Sequence, residues 1–162
     1  MAQRVGLGGK IYASDKNKKR VDSGKLDIER HNYKNIQWSV LDATKDEFPT
    51  YNKILIDVPC TGTGAIGRRP DIKWRLRSQD IKKMSETQIN ILNHMVRFLS
   101  PNGKIVYSTC SLEREENEDV VNKFLKNRSD FKLLVTHSLL PDQWVNSNGF
   151  MFAVPYLSLI HI

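Results

Sequence analysis

Four short apolar runs in this chain each deliver the backbone to an acid or a thiol. Lys10-Ile11-Tyr12-Ala13 ends at Asp15, and Asn35-Ile36-Gln37-Trp38-Ser39-Val40 leads to Asp42. Ile54-Leu55-Ile56 leads to Asp57, and Ile105-Val106-Tyr107 to Cys110. Apolar runs of this length, bounded by turn residues, read as strands. Helical patterns lie between them. Strand and helix in alternation predict an α/β fold, a mostly parallel sheet with right-handed crossovers and helices on both faces. Open sheets of this kind bind ligands outside the carboxyl ends of their strands, where a carboxylate can take the ribose hydroxyls of a nucleoside. Each acid taken alone also suits a helix cap or a turn. Their recurrence at successive strand ends is what points to a site.

The most regular helix is expected over residues 78–99. Ile81, Met84, Gln88, Ile91, Leu92, Met95, Val96 and Leu99 share one face, Ser78 can cap it, and Pro101-Asn102-Gly103 ends it. Gln88 is the one large polar group on that face, either a hydrogen-bonded boundary residue or a group pointing into a site. Residues 16–31 form a weaker helix around Val21, Leu26 and Ile28, with Gly24 counting against it. After Cys110 an acidic start (Glu113, Glu115, Glu116, Glu118) and a basic end (Lys123, Lys126) suit a helix dipole, with Val120, Val121, Phe124 and Leu125 facing inward. Residues 131–135 and 149–154 read as a closing antiparallel strand pair, joined by a loop holding Pro141 and Trp144.

With 162 residues the chain supports one domain with a real core. Its net charge of +7 favours a polyanion such as nucleic acid as partner, although a solvated basic surface gives the same balance. The N-terminal MAQRVGLGGK lacks the apolar stretch of a signal peptide, and residues 89–99 are interrupted by Asn90, Asn93, His94 and Arg97. A soluble, cytoplasmic protein with no membrane association is expected. Two cysteines do not make a disulfide framework, and no Cys/His spacing suits zinc, so reduced thiols and no metal are expected.

Free cysteine is most often a small buried hydrophobe. Both cysteines here instead follow strand ends in polar loops, Cys60 between Pro59 and Thr61, Cys110 between Thr109 and Ser111. A thiol ahead of a helix N-terminus has its thiolate favoured, and Cys110 has that placement before the acidic helix. A thiolate is the nucleophile for a transient covalent bond.

Asp57-Val58-Pro59-Cys60-Thr61-Gly62-Thr63-Gly64, Arg69-Pro70-Asp71-Ile72-Lys73-Trp74, Gln88, Tyr107-Ser108-Thr109-Cys110-Ser111 and Glu116-Asn117-Glu118 together closely resemble the RNA cytosine methyltransferases of the NOL1/NOP2/Sun family. The Pro-Asp-Ile-Lys-Trp block looks most like the bacterial members that methylate small-subunit ribosomal RNA. The resemblance runs over about residues 9–152. It implies a Rossmann-like fold that binds S-adenosylmethionine, with Asp15 on the cofactor ribose, Asp42 near the adenine and Asp57 at the cofactor–substrate junction. It implies Cys110 as the nucleophile that adds to carbon 6 of cytosine, and Cys60 as the cysteine that assists product release. The target base has to be unstacked, so single-stranded or loop RNA is the expected substrate. Arg68, Arg69, Lys73 and Arg75 are candidate phosphate contacts and Trp74 a stacking group, with Lys16, Lys18 and Lys19 a weaker set.

Against the family pattern, the first strand and its Gly-rich cofactor loop are expected upstream of Met1. Residues 1–154 then form a partial catalytic domain, residues 155–162 an atypical tail, and the chain alone is expected to bind cofactor weakly or not at all. Two rival readings stand beside this one. A DNA cytosine methyltransferase would use the Pro-Cys thiol, Cys60, as nucleophile. A degenerate methyltransferase fold would serve as a non-catalytic RNA-binding protein.

Overall fold

The computed structural model describes residues 5–6, 8–134 and 144–151. The chain divides into two compact units, Met1–Pro49 and Thr50–Ile162.

The first unit is a β-α-β element. Strand β1 (Ile11–Asp15) is followed by helix α1 (Lys18–Arg30) and strand β2 (Ile36–Val40). The strands pair in parallel, from Ile11 beside Ile36 to Asp15 beside Val40. Helix α1 starts two positions later than the pattern suggests because Asn17 caps it, its side chain accepting from the Lys19 amide at 2.9 Å. Val21 is fully buried. Gly24, which counted against a helix, is what lets it pack. A Cβ there would stand 2.3 Å from the Trp38 ring of β2, so the indole lies directly on the helix backbone.

The second unit repeats the pattern with longer elements. Strand β3 (Tyr51–Asp57) pairs in parallel with β4 (Leu99–Ser108), placing Ile54 beside Ile105 and Asp57 beside Ser108. Between them lie a short helix α2 (Ile72–Arg75) and the long α3 (Ser78–Met95), which tightens into a 3₁₀ turn, Val96–Phe98. Helix α4 (Glu118–Asn127) follows β4. Ile54, Ile56 and Val58 of the β3 region, Ile89, Ile91, Leu92 and Met95 of α3, and Val120 and Phe124 of α4 are buried. Large apolar side chains of this kind contribute roughly 1.5–3 kcal/mol each when fully buried.

Among the described residues the expected parallel pairing is present as two two-stranded sheets, one in each unit. Several local expectations change. Ser78 is the first residue of α3 rather than its cap. The cap position is Arg77, whose amide donates to Asp80 Oδ2 at 3.0 Å. Helix α3 ends at Met95, not 99, because Leu99 already pairs with Tyr51 in the sheet. The Pro101-Asn102-Gly103 turn, with Asn102 at φ 61°, therefore lies within β4 and coincides with a register shift between Tyr51 and Lys53.

Residues 131–134 are not a strand. Phe131 turns back onto α4, its amide donating to Arg128 O, its ring 5.2 Å from the Phe124 ring and 4.9 Å from the Arg128 guanidinium carbon. Among the described residues the antiparallel feature is a single bridge between Val145 and Met151. Residue 135, residues 152–154 of the second expected strand, Pro141 and the tail 155–162 lie outside the described residues. Among the described residues no helix is long and apolar enough to cross a membrane.

Candidate active site

The carboxyl ends of β3 and β4 carry the chemistry of the second unit. Asp57, the last residue of β3, is exposed beside Ser108, the last of β4. The backbone pairing continues one step, Val58 N–H donating to Ser108 O at 3.0 Å, and then both chains turn into loops. Those loops bring the Cys60 and Cys110 sulfurs to 2.8 Å of each other. Gly64 makes this crossing possible. Its amide donates to Cys110 O at 3.0 Å, and a Cβ at that position would sit 2.7 Å from the same oxygen.

The two thiols are not equivalent. Cys110 is exposed and Cys60 only partly so. Burial, followed by the neighbouring Cys110 thiol, pushes the Cys60 pKa up to about 12. Cys60 is therefore a protonated thiol at neutral pH. Iodoacetamide at pH 8 is expected to alkylate Cys110 at least about tenfold faster than Cys60, since only the thiolate attacks. The Cys60 rate should keep rising with pH through 9 and 10 without levelling. The sign for stability follows: a raised thiol pKa favours the fold below the ordinary thiol range, and that contribution is lost as pH climbs toward 12. Residue-resolved mass spectrometry of the alkylated chain reads both rates. Equal rates at pH 8 would contradict this ordering.

Beneath the thiols lies a carboxylate that the sequence pattern assigned to the acidic start of a helix. Glu116 is fully buried. The α-helix begins only at Glu118, and a 3₁₀ turn, Arg114–Glu116, precedes it. Cys110 thus does not stand at an α-helix N-terminus, and that source of thiolate stabilisation is withdrawn. The 3₁₀ turn instead rotates Glu116 inward. Its Oε1 accepts from the Thr61 amide at 3.0 Å and from Gln88 Nε2 at 2.9 Å. Its Oε2 accepts from Ser111 Oγ at 2.6 Å and from the Thr61 hydroxyl. Gln88 Nε2 also donates to Pro59 O at 2.8 Å, while its Oε1 is buried without a partner among the described residues. Tyr107 donates its hydroxyl to the Glu116 carbonyl at 2.7 Å, and burial, with the Glu116 charge second, drives that phenol well above its ordinary pKa. Removing a partner from such a network costs about 1–3 kcal/mol for each buried group left unpaired. Gln88, the lone polar residue on an apolar helix face, was the visible signal. Glu116 gave none, hidden in a run of acids.

Around Cys110 a second set of bonds fixes the loop. Thr109 Oγ1 donates to Asn117 Oδ1 at 2.7 Å, and Asn117 Nδ2 donates to Ser111 O at 2.9 Å and Glu113 O at 2.7 Å. Leu112 N–H donates to Thr63 Oγ1 at 2.8 Å, so Thr-Gly-Thr-Gly and Thr-Cys-Ser are laced together at several points.

The other two acids sit in the first unit, again at strand carboxyl ends. Asp15 closes β1, its Oδ1 accepting from the Asn17 amide at 2.7 Å and its Oδ2 from Arg20 at 3.2 Å. Asp42 follows β2, and its Oδ1 accepts both the hydroxyl and the amide of Thr44, which hold its carboxyl below the usual carboxylate range. Asp15 ends β1 and Asp42 lies two residues past the end of the adjacent parallel strand β2, and carboxylates placed so are acceptors that fit nucleoside hydroxyls and amino groups.

Of the basic segment, Trp74 is 85% exposed, with Lys73 Nζ 5.9 Å from its ring centre. Arg69 and Arg75 both approach Asp71 at 3.6 Å, and Arg68 is exposed. These residues form α2 and the turn before it, just beyond the Cys60 loop. In the first unit, Lys18 is held at 2.6 Å by Asp22.

Each unit is thus a parallel α/β element with acids at its strand carboxyl ends, and the comparisons with known proteins give the class, a Rossmann-like methyltransferase fold. The chain belongs to the 16S rRNA methyltransferase RsmB/F family, whose model matches residues 1–156. It is 38% identical over 104 residues to ribosomal RNA small subunit methyltransferase B of Proteus mirabilis, covering 64% of this chain and 24% of that protein. The Shewanella oneidensis protein of the same name is 43% identical over 83 residues, 51% of this chain and 19% of its own length. Among solved structures, the crystal structure of PH0851 superposes with a TM-score of 0.82 at 36% identity, over 91% of this chain and 34% of that one. NSun6 from Pyrococcus horikoshii, solved with SFG, gives a TM-score of 0.70 at 33% identity, over 78% and 33%. The match thus spans about a fifth to a quarter of the length of these curated relatives.

Proposed function

We propose that this sequence is the catalytic part of an enzyme that methylates carbon 5 of a cytosine in small-subunit ribosomal RNA through a covalent cysteine adduct. The observation that carries the reading is the contact of Cys110 and Cys60 across the ends of two parallel strands, in a chain of the RsmB/F family. S-adenosylmethionine, when bound, supplies an electrophilic methyl group. Asp15 and Asp42 would hold its ribose and adenine, and Asp57 would stand where it meets the base. A relative solved with SFG, an analogue of that cofactor, supports the choice.

The protein's own work begins at carbon 5, a poor nucleophile in an aromatic cytosine. Attack of the Cys110 thiolate on carbon 6 forms the S–C6 bond and pushes an electron pair toward carbon 5, which then takes the methyl group. Asp57 hydrogen-bonds the pyrimidine near N3 and stabilises the adduct. Loss of the carbon-5 proton to solvent water restores the C5–C6 double bond and expels the Cys110 thiolate. Cys60, protonated and touching the Cys110 sulfur, is placed to assist that release. Arg68, Arg69, Lys73 and Arg75 would contact phosphates and Trp74 would stack on an unstacked base.

The exposure of Cys110 and the raised pKa of Cys60 favour this assignment over a DNA cytosine methyltransferase that attacks with Cys60. A protein of its relatives' length that contains this chain, given methyl-labelled cofactor and small-subunit ribosomal RNA, is expected to produce 5-methylcytidine at one position. Label appearing in DNA instead, or on a nucleoside other than cytidine, would contradict the proposal. Bacterial relatives that act on ribosomal RNA fit a cytoplasmic site of action.

A further inference from the structure

We infer that Glu116 is a positioning residue, a buried hydrogen-bond clip that sets the contact between the Cys60 and Cys110 sulfurs. The carboxylate touches the residue after each cysteine. Thr61 donates its amide to Oε1 at 3.0 Å, and Ser111 donates its hydroxyl to Oε2 at 2.6 Å. Gln88 Nε2 donates to Oε1 at 2.9 Å and reaches the residue before Cys60, donating to Pro59 O at 2.8 Å. Cys60 is therefore bracketed on both sides by a single Glu-Gln node, and Cys110 is tied to the same node through Ser111. Among the described residues Glu116 is the only buried acid. Its four donors come from two loops and one helix, so its hydrogen bonds fix where those pieces meet.

The clip acts by geometry. A glutamine can keep it: the amide oxygen takes the place of Oε1 and accepts from the Thr61 amide and Gln88, and the amide nitrogen donates to the two hydroxyls. Ser111 Oγ then turns its proton to Thr63 Oγ1, 3.2 Å away. Alanine keeps none of this. The inference rests on the proposed reaction only for its catalytic meaning, because the sulfur contact is measurable with neither RNA nor cofactor.

The test is the effective concentration of the Cys60–Cys110 pair in this chain, read by equilibration with glutathione disulfide. One glutathione disulfide is reduced to two glutathione thiols for each protein disulfide formed, and mass spectrometry counts the closed form. Thermal melts followed by circular dichroism report folding separately. Glu116→Gln is expected to stay within about threefold of the parent value, and Glu116→Ala to fall at least about tenfold. Should Glu116→Ala fail to fold, Ser111→Ala, which cuts the Cys110 arm together with the Ser111 hydroxyl's bonds to Thr61, Thr63 and the Glu113 amide, is expected to lower the value at least about threefold in a folded chain. Two results would overturn the inference: unchanged effective concentration in folded Glu116→Ala or Ser111→Ala, or a loss in Glu116→Gln as large as in Glu116→Ala. The second would mean that the charge acts rather than the bonds. Failure of methyl transfer in a Cys110 variant, by contrast, bears on the reaction and leaves this measurement untouched.

Discussion

Replacing Cys110 with alanine in a protein of its relatives' length that contains this chain is expected to lower methyl transfer at least about 10³-fold, roughly 4 kcal/mol of barrier. Without the thiolate nothing adds to carbon 6, and carbon 5 keeps its aromatic inertness. Binding of RNA should survive, because Cys110 is exposed at a loop and the groups that fix that loop, Thr109, Ser111 and Asn117, are unchanged. The signature is a fall in kcat with little change in RNA affinity, the pattern of an interaction made only along the reaction path. A Cys110→Ala enzyme with ordinary turnover would remove the nucleophile from this account.

Cys60→Ala is expected to behave in the opposite sense. The Cys110 attack and the methyl transfer proceed, but the partner that touches the Cys110 sulfur is gone, so the adduct outlives its formation. RNA should then remain bound to protein through a denaturing gel, at a level at least about tenfold above that of the parent. The double variant Cys60→Ala with Cys110→Ala should lose the adduct entirely, which separates a covalent link from tight binding. The raised pKa of Cys60 agrees with its role: a thiol held protonated is a poor attacker and a suitable companion to a leaving thiolate.

Most of the fold was legible because apolar runs of three to six residues, each followed by an acid or thiol, leave few arrangements besides parallel strands. Asp15, Asp42, Asp57 and Cys110 stand at or just past the carboxyl ends of β1 to β4, as the pattern required. The errors fell where a side chain was put to a use that local pattern does not record. Gly24 reads as a helix weakener until Trp38 is seen lying on it. Phe131 reads as a strand residue until it folds back onto Phe124 and Arg128. Glu116 reads as one more acid favouring a helix start, whereas a 3₁₀ turn before the helix carries it into the core. Its partners lie 5, 28 and 55 residues away in sequence, and no local pattern encodes such a meeting. The chemistry of the site was visible as residue types, and the node that holds it together was not.

The central claim is that Cys110, and not Cys60, forms the bond to the base. The most direct measurement is peptide mapping of the adduct trapped by Cys60→Ala. After proteolysis and nuclease digestion, mass spectrometry should place a methylated cytidine on the peptide that contains Cys110. A nucleotide on any other residue, or an adduct that accumulates in Cys110→Ala with Cys60 as its attachment point, would contradict it.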